Sequence, residues 1–200
     1  MPGMEAVVLA SGFSRRLGAD KVSQDICGRS VLNRVLGNIL GAGIEKVVVV
    51  LRERSQARLV PENQKVSVLF NENADAGMSS AIKLAILRAE QDYDGFFFLN
   101  GDMPFFSAES IARLTGLWER NPHKIACIRH NGVLRGPVIF PRRYTGLLLN
   151  LEGEKGGREL LVTNSSDVVH IEITDQDEMV DIDTREDLER AREICMKKRL

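Results

Sequence analysis

The residues best suited to chemistry lie in LASGFSRRLGADK, residues 9–21, which follows a short apolar run and precedes a segment typical of a helix. Gly12 and Gly18 permit close approaches that a side chain would block, so several backbone N–H groups can face one small volume. Arg16 and Lys21 add full positive charge, and arginine suits forked contact with phosphate. The stretch predicts a polyphosphate cradle. An ordinary turn with solvated charges is the alternative.

Two common nucleotide motifs do not describe this stretch. It lacks the Gly-Lys-Ser/Thr ending of a Walker A loop. Its two glycines, six positions apart, do not make the three-glycine dinucleotide fingerprint. Phosphate binding here therefore has to be argued from this particular arrangement of glycine and charge.

Three aspartates could hold a divalent cation. Asp102 follows the apolar run GFFFLN, and Asp181 and Asp183 lie in VDIDT near the C-terminus. Mg²⁺ in phosphate-transfer sites takes one or two carboxylates together with substrate phosphates. Strand alternation would put Asp181 and Asp183 on one face, which leaves open which of them is the second ligand. The alternatives are a turn aspartate at Asp102 and, at Asp183, a residue that only precedes a helix cap.

The elements that must position these residues alternate between strands and helices. Continuous apolar runs predict strands at 5–10, 46–51, 66–70, 95–100 and 124–128, and helical spacing predicts helices at 30–43, 79–93 and 107–120. Unbroken apolar strands between helices indicate a parallel sheet covered on both faces. The fold predicted is α/β: a single domain over residues 1–200 with a doubly wound, mostly parallel, Rossmann-like sheet. Ligands then bind beyond the carboxyl ends of the strands, where residues 9–21 and Asp102 should meet.

The remaining chain is less regular. It predicts short strands at 135–141, 168–173 and 179–183, a glycine-rich loop leading into a helix at 152–161, and a terminal helix at 184–199. Trp118, at helical spacing from Leu114 and Leu117, is assigned to the core.

Composition excludes several classes of function. Apolar residues make up 44% of the 200, the formal net charge is −1, and the pI is about 6.3, so neither nucleic acid nor an anionic membrane is an expected partner. No apolar run is long enough for a membrane span, and the N-terminus does not read as a signal peptide. Cys27, Cys127 and Cys195 are far apart and odd in number, which does not suggest a disulfide framework. A cytoplasmic protein whose Cys27 and Cys127 are core thiols is expected.

Five motifs in order resemble those of the MobA-like NTP transferases, and within them the molybdenum cofactor cytidylyltransferases. The first is LASGFSRRLGADK, in which Ser11 and Leu17 depart from the family's L-A-A/G-G-x-S-x-R-M-G-x-x-K. The others are GMSS at 77–80, GDMP at 101–104, GEKGGR at 153–158 and DIDTREDL at 181–188. Each motif alone is weak, but together they span nearly the whole chain.

The resemblance implies a Mg²⁺-dependent nucleotidyltransferase that joins the NMP of an NTP to a phosphorylated acceptor, often molybdopterin, and releases pyrophosphate. It implies catalytic roles for Arg16, Lys21 and Asp102, metal ligation by Asp102 and Asp183, and contact with the acceptor's phosphate by Lys155 and Arg158. The residues expected to bind the nucleotide are Leu9, Ala10, Ser11, Gly12, Ser14, Gly18, Gly77, Ser79 and Ser80.

The choice of base and acceptor rests on details of the resemblance. Family members with L-A-A-G tend to use CTP and those with L-A-G-G tend to use GTP; Ser11 has a side chain like the alanine, so CTP is favoured and GTP is the alternative. On the acceptor side, Arg135–Val138 lacks the histidine of the usual G-H-P-V, and Glu154 replaces an aspartate. A sugar or alditol phosphate is therefore a second candidate acceptor. A module that delivers finished cofactor to a molybdoenzyme is the non-enzymatic alternative, and a monomer or weak dimer is expected.

Overall fold

A central sheet organises the chain in the computed structural model, which describes residues 3–89 and 93–198. Its seven strands within that part of the chain lie in the order β5-β4-β1-β6-β8-β7-β9, and a separate hairpin pairs β2 with β3. The strands are β1 (Met4–Ala10), β2 (Asp25–Ile26), β3 (Arg29–Ser30), β4 (Val47–Leu51), β5 (Val66–Phe70), β6 (Gly95–Asn100), β7 (Ile125–His130), β8 (Val133–Pro141) and β9 (Val168–Glu172).

Helices connect and cover these strands. They are α1 (Val31–Gly41), α2 (Met78–Arg88), α3 (Ala108–Glu119), α4 (Thr145–Leu149), α5 (Arg158–Thr163) and α6 (Arg185–Lys198). Serine caps start two of them: Ser30 Oγ accepts from the Asn33 N–H at 3.1 Å, and Ser107 Oγ accepts from the Ser110 N–H at 3.1 Å. The predicted ends of the second and last helices, residues 90–92 and 199, lie outside the described residues.

The sheet confirms a doubly wound, mostly parallel α/β fold. β1 pairs in parallel with β4 and β6, and β4 pairs in parallel with β5. One core packs α1 and α3 against the sheet, and another packs α2, α4 and α5 against the opposite face. All five residues of β4 are buried because both faces are covered, which is why VVVVL shows no polar alternation. Trp118 is fully buried, as expected.

β8 is the exception to the parallel pattern. It runs antiparallel to both β6 and β7, which it separates in the sheet. Its nine residues extend further than the short strand predicted at 135–141. The hairpin turn at Asn131 and Gly132, both with positive φ, returns the chain from β7 into β8 and fixes this orientation.

Two local predictions are wrong. Residues 179–183 do not form a strand; a short 3₁₀ turn at Asp177–Met179 leads into an extended segment, which bonds through the Ile182 N–H to the Asp102 carbonyl at 3.0 Å. No ladder forms because Asp102 lies beyond the end of β6. The segment after residues 9–21 is also not a long helix: a 3₁₀ turn (Lys21–Ser23) and the β2–β3 hairpin come before α1.

A third hydrophobic cluster lies under α6. Ile26 of the hairpin and Leu17 of the first loop pack with Leu188 and Ile194 of the helix. Cys27 and Cys195 are joined there as a disulfide with a Cα–Cα distance of 6.6 Å, so the expectation that Cys27 is a core thiol is wrong. Cys127 is the buried free cysteine expected.

No helix in the described part of the chain is both long and apolar enough to span a membrane.

Candidate active site

A cavity of about 550 Å³ opens at the carboxyl ends of β1 and β6. This volume is within the usual range for small-molecule sites. Of the residues assigned to nucleotide, catalysis or metal from sequence, those lining it are Leu9, Ala10, Ser11, Gly12, Ser14, Arg16, Lys21, Gly77, Asp102 and Asp183. The topology thus brings residues 9–21 and GDMP together, with the Gly101 N–H donating to the Leu9 carbonyl at 2.9 Å.

The loop after β1 is held open by its own hydrogen bonds. Ser14 adopts a positive φ of 51°, and its carbonyl accepts from the N–H groups of Leu17 and Gly18. Its hydroxyl oxygen accepts from the Lys21 N–H at 3.1 Å, which fixes where the lysine side chain starts. Backbone donors of the loop are thereby kept beside the cavity in a defined turn.

Two arginines outside the catalytic prediction also shape this loop. Arg52, just after β4, donates to the Gly12 carbonyl at 3.1 Å, and its guanidinium lies 4.8 Å from the centre of the Phe13 ring. Arg15 lies 5.3 Å from the same ring. Arg52 is also paired with Glu53 at 2.9 Å, so it braces the loop through Gly12 and Phe13 without adding an unpaired charge.

Lys21 lies between the two predicted metal ligands. Its Nζ contacts Asp102 Oδ2 and lies 3.1 Å from Asp183 Oδ1. Arg16 Nη2 lies 2.5 Å from Asp183 Oδ2. Burial lowers the pKa of the Lys21 ammonium, but the neighbouring Asp102 carboxylate outweighs it and holds that pKa above its ordinary value. The lysine is therefore a fixed cation at neutral pH.

Among the described residues, Asp102 presents one unpaired carboxylate oxygen at the cavity. Its side chain is buried, and Oδ1 has no hydrogen-bond partner among the described residues. Burial raises the pKa of this carboxyl, even with Lys21 beside it, so its ionised form needs a neighbouring cation. Asp181 and Asp183 both line the same cavity. The described residues contain no cluster of three or more side chains that could hold a metal ion by themselves.

The start of α6 fixes Asp183. The Asp187 carboxylate accepts from the backbone N–H groups of Asp183 and Thr184, at 3.2 and 2.8 Å, and from the Thr184 hydroxyl at 2.8 Å. The Asp187 N–H donates back to Thr184 Oγ1 at 3.2 Å, which completes a reciprocal cap. The cap at the start of α6 thus holds the backbone of Asp183 at the rim of the cavity.

The GMSS and GEKGGR motifs pack against each other. Gly77 has φ of +82°, and a Cβ added there would lie 2.5 Å from the Gly153 backbone. The Ser79 N–H donates to the Gly153 carbonyl at 3.1 Å. The loop thereby places Glu154 in the cavity wall.

Several predicted residues do not reach the cavity. Gly18, Ser79, Ser80, Lys155 and Arg158 are absent from its lining. Ser80 instead donates to the Gly77 carbonyl at 2.7 Å, and the exposed Lys155 pairs with Glu159 at 3.2 Å. Ser79 and Ser80 therefore stabilise the turn at Gly77 without lining the cavity. Lys155 and Arg158 lie outside the cavity.

Asn71 was missed by the sequence analysis. This buried side chain donates from Nδ2 to Ser11 Oγ at 3.2 Å and to Ser80 Oγ at 2.8 Å. It links the loop after β1 to the start of α2. Its one sequence signal is a polar residue directly after β5, similar to the placement of Asp102 just beyond β6. Other lining residues that the sequence analysis gave no binding role are Phe13, Arg15, Val22, Ala74, Met78, Ala81 and Asn100.

Comparison with known proteins agrees with this geometry. Residues 6–168 match the family described as the MobA-like NTP transferase domain. Purine catabolism protein PucB of Bacillus subtilis is 26% identical and aligned over 96% of this chain and 97% of its own. A probable molybdenum cofactor guanylyltransferase of Natronomonas pharaonis is 29% identical over 94% and 96%. The crystal structure of Rv0371c from Mycobacterium tuberculosis in complex with manganese superposes with a TM-score of 0.76 at 22% identity, over 96% of this chain and 98% of that one.

Proposed function

Because the chain belongs to the MobA-like NTP transferase family, we propose that it transfers the NMP of an NTP to a phosphorylated acceptor and releases pyrophosphate. The observation that carries the proposal is the meeting of Arg16, Lys21, Asp102 and Asp183 in one cavity. Two cations and two carboxylates at the end of a parallel sheet suit a reaction that depends on positioning and charge neutralisation.

The chain's own groups have distinct roles in this reaction. Backbone N–H groups of residues 11–14 bind the triphosphate, and Arg16 and Lys21 neutralise charge that develops on the α-phosphate and on pyrophosphate. Lys21 begins from its contacts with Asp102 and Asp183, so its ammonium is already oriented when the phosphates arrive. That orientation lowers the entropy cost of reaching the transition state.

Asp102 and Asp183 are the proposed ligands of Mg²⁺. The unpartnered Oδ1 of Asp102 and the position of Asp183 on the cavity wall support this pair. When bound, the ion neutralises phosphate oxygens and orients them for in-line displacement. The manganese in the M. tuberculosis relative supports a divalent cation in this fold.

We propose CTP as the preferred nucleotide. Ser11 lies in the cavity wall, and its hydroxyl oxygen already accepts from Asn71, which leaves the hydroxyl proton to donate into the cavity. Its side chain occupies space that a glycine would leave free, which favours a one-ring base over a purine. The N. pharaonis relative supports GTP as the second candidate, with the same chemistry on a different base.

Molybdopterin is the proposed acceptor, and a molybdoenzyme is the proposed recipient of the product. Lys155 and Arg158 lie outside the cavity, next to Glu154 of its wall, so they would contact the phosphate of an acceptor that extends beyond the rim. The guanylyltransferase relative, named for the molybdenum cofactor, supports this choice.

Pyrophosphate release tests the proposal. The purified protein is incubated with molybdopterin and each of CTP, GTP, ATP and UTP, with and without Mg²⁺. Fastest release from CTP with Mg²⁺ is expected, and Lys21→Ala should reduce it by about a hundredfold or more. Lys65→Ala is the matched control, because Lys65 pairs with Glu45 on the surface and is absent from the cavity lining. Release independent of Mg²⁺, or equal in wild type and Lys21→Ala, would refute the proposed mechanism.

A further inference from the structure

Cys27 and Cys195 are 168 positions apart, yet the fold joins them as a disulfide. Cys27 lies exposed in the turn between β2 and β3, whereas Cys195 is buried on α6. An accessible cysteine beside a buried partner is the arrangement of an attacking thiol and a resolving thiol.

We propose that this pair is a thiol–disulfide exchange site that controls how firmly α6 is held against the β2–β3 hairpin. Its reaction partner is a low-molecular-weight disulfide, such as glutathione disulfide. The inference does not depend on the proposed transferase activity, because neither sulphur takes part in that reaction.

The exchange proceeds in two balanced steps. The Cys27 thiolate attacks one sulphur of the small disulfide, whose S–S bond breaks; a mixed disulfide forms and one small thiolate leaves. The Cys195 thiolate then attacks Cys27 Sγ, which expels the second small thiolate and closes the protein disulfide. Two protein thiols are oxidised, and one small disulfide is reduced to two thiols. Excess small thiol reverses both steps.

Arg34 supplies the charge that favours the resolving step. Its buried guanidinium is fixed by two bonds to the Ile26 carbonyl, at 2.9 and 2.6 Å, and Nη2 lies 3.2 Å from Cys195 Sγ. A cation held beside a sulphur stabilises the thiolate, which is the reactive form. No cation is found to shift the pKa of Cys127 among the described residues; burial raises the pKa of its thiol to about 12 and leaves it unreactive.

The disulfide links the β2–β3 hairpin covalently to α6. Cys27 belongs to the hairpin that follows Lys21, and Cys195 lies on the helix whose cap holds Asp183. When the sulphurs are reduced, α6 is held to the hairpin by the packing of Ile26 against Leu188 and Ile194 and by weaker polar contacts. The oxidised form adds a covalent link across this joint.

The test equilibrates the full chain in glutathione redox buffers, quenches free thiols by alkylation and measures intact mass and melting temperature. The expected result is a reversible transition to a species with two alkylatable thiols fewer, no bound glutathione and a higher melting temperature. Cys195→Ala should trap glutathione on Cys27, and Cys27→Ser should abolish the reaction. Cys127→Ala should behave as wild type.

Arg34 gives a readout that a purely structural role would not affect. In a time course after addition of glutathione disulfide, Arg34→Met should make the mixed disulfide accumulate transiently, because a less ionised Cys195 resolves it more slowly, and Arg34→Lys should restore the rate of resolution. Three results would overturn the inference: no loss of thiols in oxidising buffer, glutathione retained on the wild-type chain at equilibrium, or the same melting temperature for both forms.

Discussion

Replacement of Gly77 by alanine tests whether the contact between residues 77–80 and the 153–158 loop supports the fold. Gly77 has φ of 82° and ψ of −171°, a conformation that costs a residue with a side chain about 1–3 kcal/mol. The added Cβ would also lie 2.5 Å from Gly153 C and O and 2.8 Å from Glu154 N, so the loop must move. Overpacking of this kind costs about 1–3 kcal/mol. Loss of the Ser79–Gly153 hydrogen bond adds about 1 kcal/mol.

Gly132→Ala is the matched control. Gly132 also has a positive φ, of 78°, but a Cβ there would meet no atom within 4 Å. Gly132→Ala should therefore lose only the conformational part, about 1–2 kcal/mol, whereas Gly77→Ala should lose about 3–7 kcal/mol. Urea unfolding measures both, because the free energy of unfolding falls linearly with denaturant. Equal losses in the two variants would refute the argument that loop contact, rather than backbone conformation, requires glycine at position 77.

The remaining predictions concern the cavity and its support. Asp102→Asn should abolish Mg²⁺-dependent pyrophosphate release while the chain stays folded; an unchanged Mg²⁺ titration would contradict its role as a ligand. Ser11→Gly should raise the GTP-to-CTP ratio of turnover, because it removes a side chain from the cavity wall; a constant ratio would remove the basis for CTP preference. Asp187→Ala should cost about 1 kcal/mol at neutral pH through loss of the α6 cap. Burial raises the pKa of Asp187, but hydrogen bonds from Thr184 and Asp183 outweigh it and hold that pKa below its ordinary value. Its stabilisation is thus present above the ordinary carboxyl pKa and lost as pH falls through the lowered value, so wild type and variant should converge in acid unfolding curves. A difference that persists at low pH would contradict this.

Much of the fold could be predicted because its inner strands, such as β4 and β6, are buried on both faces. Continuous apolar runs such as VVVVL in β4 can bury both sets of side chains only if helices cover both faces of the sheet, so they predicted a covered parallel sheet. The strand predicted at 179–183 failed because two aspartates alternating with apolar residues satisfy a period of two without a neighbouring strand. The segment instead donates a long-range backbone hydrogen bond from the Ile182 N–H to the Asp102 carbonyl.

The candidate site was accessible from sequence where charge and glycine follow a strand directly. Arg16, Lys21, Asp102 and Asp183 were singled out on local pattern and resemblance, and the fold brings them to one cavity. Their assigned roles stay predictions. Asn71 was not found, since its bonds to Ser11 and Ser80 depend on which strand lies beside which.

The sequence by itself determined the covered sheet and which strand ends carry charge, because hydrophobic periodicity and glycine positions are local properties of the chain. Only the tertiary structure decided that Lys21 lies between Asp102 and Asp183. The same holds for the packing of Gly77 against Gly153 and for the disulfide between Cys27 and Cys195. These contacts join residues from about 75 to 170 positions apart in the chain. Their geometry follows from strand order and helix packing, which no local pattern contains.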